Sequence, residues 1–215
     1  MEWEWKENQV FLRGTAEETP YISHESYGQI YVKFFLSVAR LSGIEDRLPI
    51  LCKQEQSAQI AAGQQLEITG ELRSFNNKNG SGQRLILSVF AKSVQKTAGE
   101  PQNTLFLDGV VCKAPTFRQT PLGREICDFI LAVNRRYGRA DYLPCIAWGR
   151  LAKEIAVLPV GSRLCLDGRL QSRTYRKMIG EYAEERTAFE VSVMRLCPLE
   201  RDGSKPLVFQ RETGG

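Results

Sequence analysis

The heptapeptide FFLSVAR at Phe34–Arg40 returns as FILAVNR at Phe129–Arg135, 95 positions further along the chain. When the shift widens to 98, the block Gly63–Ser74 matches the block Gly161–Ser172 at its glycines, leucines and final serine. One register with only small insertions indicates a duplicated unit, because chance similarity would scatter the offsets. The chain is therefore expected to fold as two copies of one module.

We predict that the modules cover 1–97 and 103–199, joined by the polar segment Lys96–Asn103, which contains Gly and Pro. A short polar tail, 200–215, follows the second module. A length of 215 residues suits two small domains. A composition of 42% hydrophobic and 25% charged residues excludes wholesale disorder.

Each module shows the same order of elements: three strands, a short helix and two more strands. In the second module the strands are predicted at Phe106–Val111, Cys127–Val133, Leu143–Trp148, Arg163–Tyr175 and Ala188–Leu196, with a helix at Arg150–Leu158. In the first they are predicted at Val10–Gly14, Tyr31–Arg40, Leu48–Lys53, Gln65–Phe75 and Arg84–Val94, with a helix at Gln56–Ala62. This order predicts an all-β chain of two tandem OB-folds, each a five-stranded Greek-key barrel with a short helix between strands three and four.

Glycine and alternation refine this prediction. Gly168 lies inside a predicted strand, which indicates a bulge or sharp bend at a barrel corner. On the third strand of the second module, apolar residues alternate from Leu143 to Ala147 and are expected to face inward. Tyr142 and Trp148, six residues apart, then share the outward face.

The charges are unevenly distributed, although the net charge is only +4. Residues 1–97 hold 11 Lys and Arg and 11 Asp and Glu, whereas residues 113–177 hold 13 basic and five acidic side chains. Most of those basic residues are Arg, whose planar guanidinium makes paired hydrogen bonds to phosphate and stacks on rings. Tyr137, Tyr142, Trp148, Tyr175 and Phe117 lie among them. Exposed aromatic rings amid Arg are typical of a stacking surface for single-stranded nucleic acid.

Several classes of function lack support in the sequence. No phosphate loop, serine elbow or His-Glu metal motif is found, so no enzymatic activity and no cofactor are expected. The six cysteines form no Cys-x-x-Cys pair and the single histidine, His24, is expected in a solvated turn, so no metal site is predicted. No apolar run reaches the length of a membrane helix, and the acidic start does not resemble a signal peptide. A cytoplasmic, nucleoid-associated protein is expected.

Two ordered stretches resemble bacterial single-stranded DNA-binding proteins. One runs from Gly109 to Arg135, and the other contains Trp148–Lys153 and then Gly161–Tyr175. The resemblance covers about 103–197. It implies an OB-fold that binds single-stranded DNA with little sequence specificity, in replication, recombination or repair.

The resemblance also implies roles for individual residues. The three stacking aromatics of the family fall on Tyr142, Trp148 and Tyr175. The phosphate contacts are expected at six basic residues: Arg118, Arg135, Arg150, Arg173, Arg176 and Lys177. Residues 176–186 would form the protruding hairpin between strands four and five.

The chain also departs from the family pattern. The first module has Arg47, Lys53 and Asn77 where the second has the stacking aromatics. It is therefore expected to serve packing or oligomerisation, with Phe75, Lys78 and Arg84 as weak contacts at most. The printed sequence ends at Phe209–Gly215 without the acidic tip that recruits partner enzymes in typical members.

Partners and alternatives follow from the same comparison. Family members commonly assemble four OB modules, so a homodimer is expected, with replication or recombination enzymes as further partners. The alternative is an adaptor resembling the primosomal protein PriB, acting mainly through protein partners. The neutral first module, with Trp3, Trp5, Tyr21 and Tyr27, favours that alternative. An RNA binder is a further option, since fold alone does not select the ligand.

Overall fold

A computed structural model of the chain describes residues 7–58, 60–77, 85–179 and 182–197. The strands are β1 (Asn8–Ala16), β2 (Tyr21–Ser26), β3 (Gln29–Ala39), β4 (Glu45–Lys53), β5 (Gln65–Asn76), β6 (Leu85–Lys96), β7 (Gln102–Val111), β8 (Thr116–Gln119), β9 (Glu125–Asn134), β10 (Ala140–Trp148), β11 (Arg163–Ile179) and β12 (Tyr182–Leu196). The helices are α1 (Gln54–Ser57) and α2 (Arg150–Ala156), and a 3₁₀ turn covers Arg136–Gly138.

The strands close into two barrels of the same topology. In the first, β1 pairs with both β3 and β5, β3 with β4, β4 in parallel with β6, and β6 with β5. In the second, β7, β9, β10, β12 and β11 repeat this ring. A closed five-stranded barrel with a helix after its third strand is the OB-fold, so the predicted fold class is confirmed. The module limits 1–97 and 103–199 stay predictions.

Two strands and one helix differ from the sequence-based expectation. The edge strands β2 and β8 were not predicted, because nearly all their residues are exposed and lack apolar alternation. His24 lies in β2, so its predicted turn is wrong. The first helix is a single turn that begins at Gln54, two residues before the predicted start. Within the described ranges, neither helix is long and apolar enough to span a membrane.

The two barrels are joined by antiparallel pairing of β1 with β7. Val10 lies opposite Leu105, and the pairing continues to Asn8 with Leu107 and to Arg13 with Gln102. Val10 and Leu105 are equivalent under the shift of 95, so an approximate twofold axis passes between them. The twelve strands form one sheet whose order is symmetric about this join.

The barrel interiors are filled by alternate strand residues. Leu12, Phe34 and Leu36 are fully buried in the first barrel, and Leu107, Leu131 and Leu143 in the second. Each such side chain contributes roughly 1.5–3 kcal/mol through burial of apolar surface. Because β10 buries Leu143, Cys145 and Ala147, its intervening side chains must face outward.

Glycine occurs where neighbouring strands approach most closely. A Cβ atom on Gly168 would lie 2.6 Å from the carbonyl oxygen of Ser192, and one on Gly109 would lie 2.5 Å from that of Ala132. The pairing register of β11 and β12 shifts between Asp167 and Gly168, which confirms the predicted bulge. The same shift occurs in β5 at Gly70, the equivalent position of the first barrel.

We predict that Gly168→Ala lowers the free energy of unfolding by about 1–3 kcal/mol, because the methyl group must displace main-chain atoms of β12. Urea unfolding followed by far-UV circular dichroism measures the change. The matched control is Thr174→Ala at an exposed position further along the same strand, expected within about 0.5 kcal/mol of the native chain. Equal stability of the two variants would contradict the close approach at Gly168.

Candidate nucleic-acid interface

Two aromatic side chains stand on the outer surface of β10. Tyr142 is 51% exposed and Trp148 is 39% exposed, while Leu143, Cys145 and Ala147 between them are buried. The outward orientation predicted for both rings is therefore confirmed. Their even spacing along a strand places them on one face, about 20 Å apart at 3.3 Å per residue.

The third predicted aromatic, Tyr175, lies on β11, where that strand extends beyond the barrel. Its ring is partly exposed, and the Arg173 guanidinium carbon lies 5.6 Å from the ring centre. Arg173 also approaches Glu190, with 3.9 Å between Nε and Oε1. A cation held beside an exposed ring gives a surface that can attract phosphate and stack a base.

The β11–β12 hairpin has the position predicted from the sequence. β11 continues to Ile179 and β12 begins at Tyr182, so the two strands are paired over the described residues 176–179 and 182–186 of the predicted range. Glu184 accepts a hydrogen bond from Arg186 Nη2 at 2.7 Å. Arg176 is exposed on β11. The side chain of Lys177 lies outside the described part of the chain.

Two further Arg residues lie beside Trp148. Arg150 opens α2 with an 87% exposed side chain, and its Nε is 3.5 Å from Glu154 Oε1. Arg118 on β8 and Trp148 on β10 both pair with Ile126 of β9, so they occupy the same register two strands apart. Two strand spacings put their Cα atoms about 10 Å apart. Arg118 Nε donates to Asp128 Oδ2 at 2.6 Å.

Arg135 has a different environment from the other predicted phosphate contacts. Its Nε donates to the buried carboxylate of Asp141 at 2.5 Å, and its Nη2 donates to the carbonyl oxygen of Ser74 at 3.2 Å. A buried carboxylate requires such a partner, because an unpaired charge in the interior is strongly unfavourable. Arg135 is therefore engaged between the two barrels, and its guanidinium is not available to a phosphate.

Asp141 is the centre of a clamp between the barrels. Its carboxylate also accepts hydrogen bonds from the Ser74 main-chain N–H at 2.6 Å and from Arg73 Nη1 at 2.9 Å, both on β5. The Ser74 hydroxyl in turn accepts a hydrogen bond from the Tyr142 N–H at 2.8 Å. The first barrel thus holds the main chain of a residue that the sequence places in the binding site.

The same clamp is repeated around Asp46 with the barrels exchanged. Arg40 Nε donates to Asp46 Oδ2 at 2.7 Å, and the Ser172 N–H donates to Asp46 Oδ1 at 2.8 Å. The Arg47 N–H donates to the Ser172 hydroxyl at 3.0 Å. Neither clamp was predicted from the sequence, although their residues are equivalent under the two shifts that define the repeat.

The structure places most of the first-module residues that the sequence compared with the binding residues of the second module. Phe75 is exposed at the end of β5, with the Arg135 guanidinium carbon 5.4 Å from its ring centre. Lys78 and Arg84, the other weak contacts expected from the sequence, lie outside the described residues. Arg47 and Lys53 are exposed on β4.

The cysteines are free thiols in the structure. Burial raises the pKa of the Cys52 thiol to about 11, and burial also raises the pKa of Cys145. Such thiols stay protonated and pack as small apolar groups. Among the described residues, no group of His, Cys, Asp and Glu side chains is placed to hold a metal ion.

Fold and surface together define a tandem OB-fold protein whose second barrel presents Tyr142 and Trp148 outward. The model of the single-strand binding protein family matches residues 102–197. A single-stranded DNA-binding protein of Bacillus cereus is 32% identical over 120 residues, covering 53% of this chain and 71% of the relative. Single-stranded DNA-binding protein A of Bacillus subtilis is 36% identical over 109 residues, covering 47% and 63%. The chain belongs to the single-strand binding protein family.

The solved structures extend the similarity over both barrels. The crystal structure of the wild-type single-stranded DNA-binding protein from Thermus aquaticus aligns with a TM-score of 0.74 and 23% identity, covering 92% of this chain and 95% of that one. At that identity the match concerns the fold alone. The expectation of a non-enzymatic protein agrees with membership in a family named for binding.

The two clamps allow a reciprocal test. We predict that Ser74→Ala increases amide hydrogen exchange at Tyr142 by roughly five- to tenfold, because a hydrogen bond worth about 1 kcal/mol is lost. Ser172→Ala is the matched variant and is expected to increase exchange at Arg47 instead. Residue-resolved exchange measured by NMR separates the two sites. Equal increases at both amides in both variants would show general destabilisation and contradict the local contacts.

Proposed function

We propose that this protein binds single-stranded DNA with little sequence specificity and acts in DNA replication, recombination or repair. The observation that carries the proposal is the outward pair Tyr142 and Trp148 on β10, within the module that matches the family. An OB barrel binds oligonucleotides on the face of its second and third strands, which here are β9 and β10. The relatives are named single-stranded DNA-binding proteins, which supports the same ligand.

In this proposal bases stack on Tyr142, Trp148 and Tyr175, which tolerates any sequence because every base has a flat face. Five basic residues contact the phosphates: Arg118, Arg150, Arg173, Arg176 and Lys177. The surplus of eight positive charges over 113–177 attracts the backbone, so affinity should fall steeply as salt rises. Contacts to backbone and base faces alone leave little discrimination between base sequences.

The first module, 1–97, would support the second, 103–199, by packing and oligomerisation. The clamps at Asp46 and Asp141 support a packing role, because each joins a buried carboxylate of one barrel to a main-chain N–H of the other. Two chains would bring together four OB modules as a homodimer. Replication or recombination enzymes would be additional partners.

The alternative of a PriB-like adaptor rests on exposed aromatic side chains of the first module. Tyr21 and Tyr27 are exposed on β2 and in the turn that follows it, and both are candidates for a protein contact. Trp3 and Trp5 lie outside the described residues. Failure of the native chain to bind oligo-dT at low salt would favour this function over the first.

We predict that Trp148→Ala and Tyr142→Ala each weaken binding of oligo-dT by roughly 1–3 kcal/mol, because each removes one stacking surface. Fluorescence polarisation of a labelled oligonucleotide measures the affinity at several salt concentrations. Arg150→Ala should reduce the slope of log K against log salt concentration by about one, because one phosphate contact is lost. The aromatic variants should leave this slope unchanged.

Val157→Ala is the control for these variants, since it truncates an exposed side chain directly after α2. Its affinity should equal that of the native chain. Unchanged affinity in a Trp148→Ala, Tyr175→Ala double variant would rule out stacking as the mechanism. A parallel titration with oligo-U distinguishes DNA from RNA as the preferred strand.

A homodimer gives a second prediction. Light scattering of the native chain should report twice the chain mass of 24.3 kDa across a tenfold range of concentration. A mass equal to one chain would exclude the dimer and leave two OB modules as the complete assembly.

A further inference from the structure

Two of the six cysteines lie directly opposite each other on neighbouring strands. Leu166 of β11 pairs with Leu196 of β12, so the next residues in register are Cys165 and Cys197. The Cys197 N–H donates to the Cys165 carbonyl oxygen at 2.8 Å. Residues hydrogen-bonded in this way across antiparallel strands have Cα atoms about 5.5 Å apart, a separation that a disulfide can bridge.

Both thiols lie on the outer side of the second barrel. Leu164 and Leu166 belong to the hydrophobic core, so Cys165 between them faces the other way. Leu196 packs against the same core, so Cys197, which follows it, also faces outward. Because opposite residues of an antiparallel pair project to the same face of a sheet, the two thiols are neighbours.

The two thiols have different environments. Cys165 is 1% exposed and lies between Cys197 on one side and Asp108 of β7 on the other, whereas Cys197 is half-buried. The hydrogen bond between the thiols lowers the pKa of Cys197 against the opposing effect of burial, and the charge of Arg195 also lowers it. The same hydrogen bond, together with burial, raises the pKa of Cys165. An accessible thiol of lowered pKa beside a buried one is typical of an attacking cysteine and its resolving partner.

The other four cysteines, all within the described part of the chain, have no such neighbour. In the described strand pairings three of them lie opposite other residue types: Cys52 opposite Val32, Cys127 opposite Phe117 and Ala147, and Cys145 opposite Phe129 and Val191. The Cys112 N–H donates to Ile130, which pairs with Pro144 on the strand of Cys145. Two strand spacings, about 10 Å, therefore separate Cys112 from that strand, which is too far for a disulfide.

We propose that Cys165 and Cys197 form a redox-active pair, which a low-molecular-weight disulfide oxidises to an intrachain disulfide. The bond would join the start of β11 to the residue after β12 and so enclose the whole β11–β12 hairpin, including Tyr175. In a reducing compartment such a bond is transient, and a thiol reductant reverses it. This chemistry does not depend on strand binding.

The reaction takes place in two exchanges. The Cys197 thiolate attacks one sulfur of the small disulfide, a mixed disulfide forms on Cys197, and the first small thiolate leaves and takes up the proton that Cys197 released. The Cys165 sulfur then attacks Cys197 Sγ, and the second small thiol leaves with the proton of Cys165. The two cysteines lose two electrons and two protons, and one small disulfide is reduced to two thiols.

The test uses the native full chain and oxidised glutathione. After removal of the reagent, a thiol count in urea should fall from six to four, and dithiothreitol should restore six. Trypsin releases the two cysteines in separate peptides, Leu164–Arg169 and Leu196–Arg201. Mass spectrometry should find these two peptides linked to each other after oxidation.

Three variants assign the roles, with circular dichroism as the check on folding. Cys165→Ala should stop at the mixed disulfide and retain one glutathione on Cys197. Cys197→Ala should keep Cys165 reduced, because that thiol is 1% exposed. Cys112→Ala is the matched control, since it removes a half-buried thiol whose Sγ donates to the Ile130 carbonyl at 3.5 Å. It should lose two of its remaining thiols at the native rate.

Two results would overturn the proposal: a native thiol count that stays at six, or a link that includes any other cysteine. Oxidation in urea shows whether the fold directs the pairing, because six cysteines in an unfolded chain allow many pairings. The unfolded chain should give a mixture of links, and the same mixture from the native chain would contradict the pair. Loss of oligo-dT binding with unchanged thiol chemistry would concern the proposed function alone.

Discussion

The antiparallel pairing of β1 with β7 is the constraint on which the rest of the structure depends. It turns two closed barrels into one continuous sheet and places equivalent residues face to face across an approximate twofold axis. In that arrangement Asp141 of one barrel reaches Ser74 of the other, and Asp46 reaches Ser172. The buried carboxylates then require the arginines that surround them, since an isolated buried charge costs several kcal/mol. Strand pairing and ion pairing thus reinforce one another.

The sequence predicted the barrels well because their signals are local. Alternation along β10 correctly assigned the inward residues, and Gly168 correctly marked the bulge, since each depends only on near neighbours. The edge strand β2 was missed because a strand exposed on both sides has no hydrophobic period. The clamps were missed for another reason. Arg135 and Ser74 are 61 residues apart, and nothing local distinguishes an Arg bound to a buried carboxylate from one that meets phosphate.

The two modules show how a repeat diverges while its scaffold persists. Four glycines, two buried aspartates and two serines are retained at equivalent places because backbone contacts and buried charges depend on them. The outward positions are free to change, and there Tyr142 corresponds to Arg47 while Ile130 corresponds to Phe35. A comparison of equivalent residues finds that the first module has lost the aromatic ring of Tyr142. A comparison of the outer surfaces finds an aromatic ring of the first module on the neighbouring strand, at Phe35. Surface chemistry is therefore better compared by face than by aligned position.

The hydrogen bonds of Ser74 determine what is lost when the second barrel is separated from the first. A fragment that began near residue 102 would retain Asp141 and Arg135 but lose the Ser74 hydrogen bonds that complete them. Such a fragment contains its own equivalent of Ser74, namely Ser172, on the corresponding strand. Two fragments paired through β7 could supply Ser172 to each other's Asp141. The covalent tandem and a dimer of single barrels are, in this sense, interchangeable ways of completing the hydrogen bonds of one buried carboxylate.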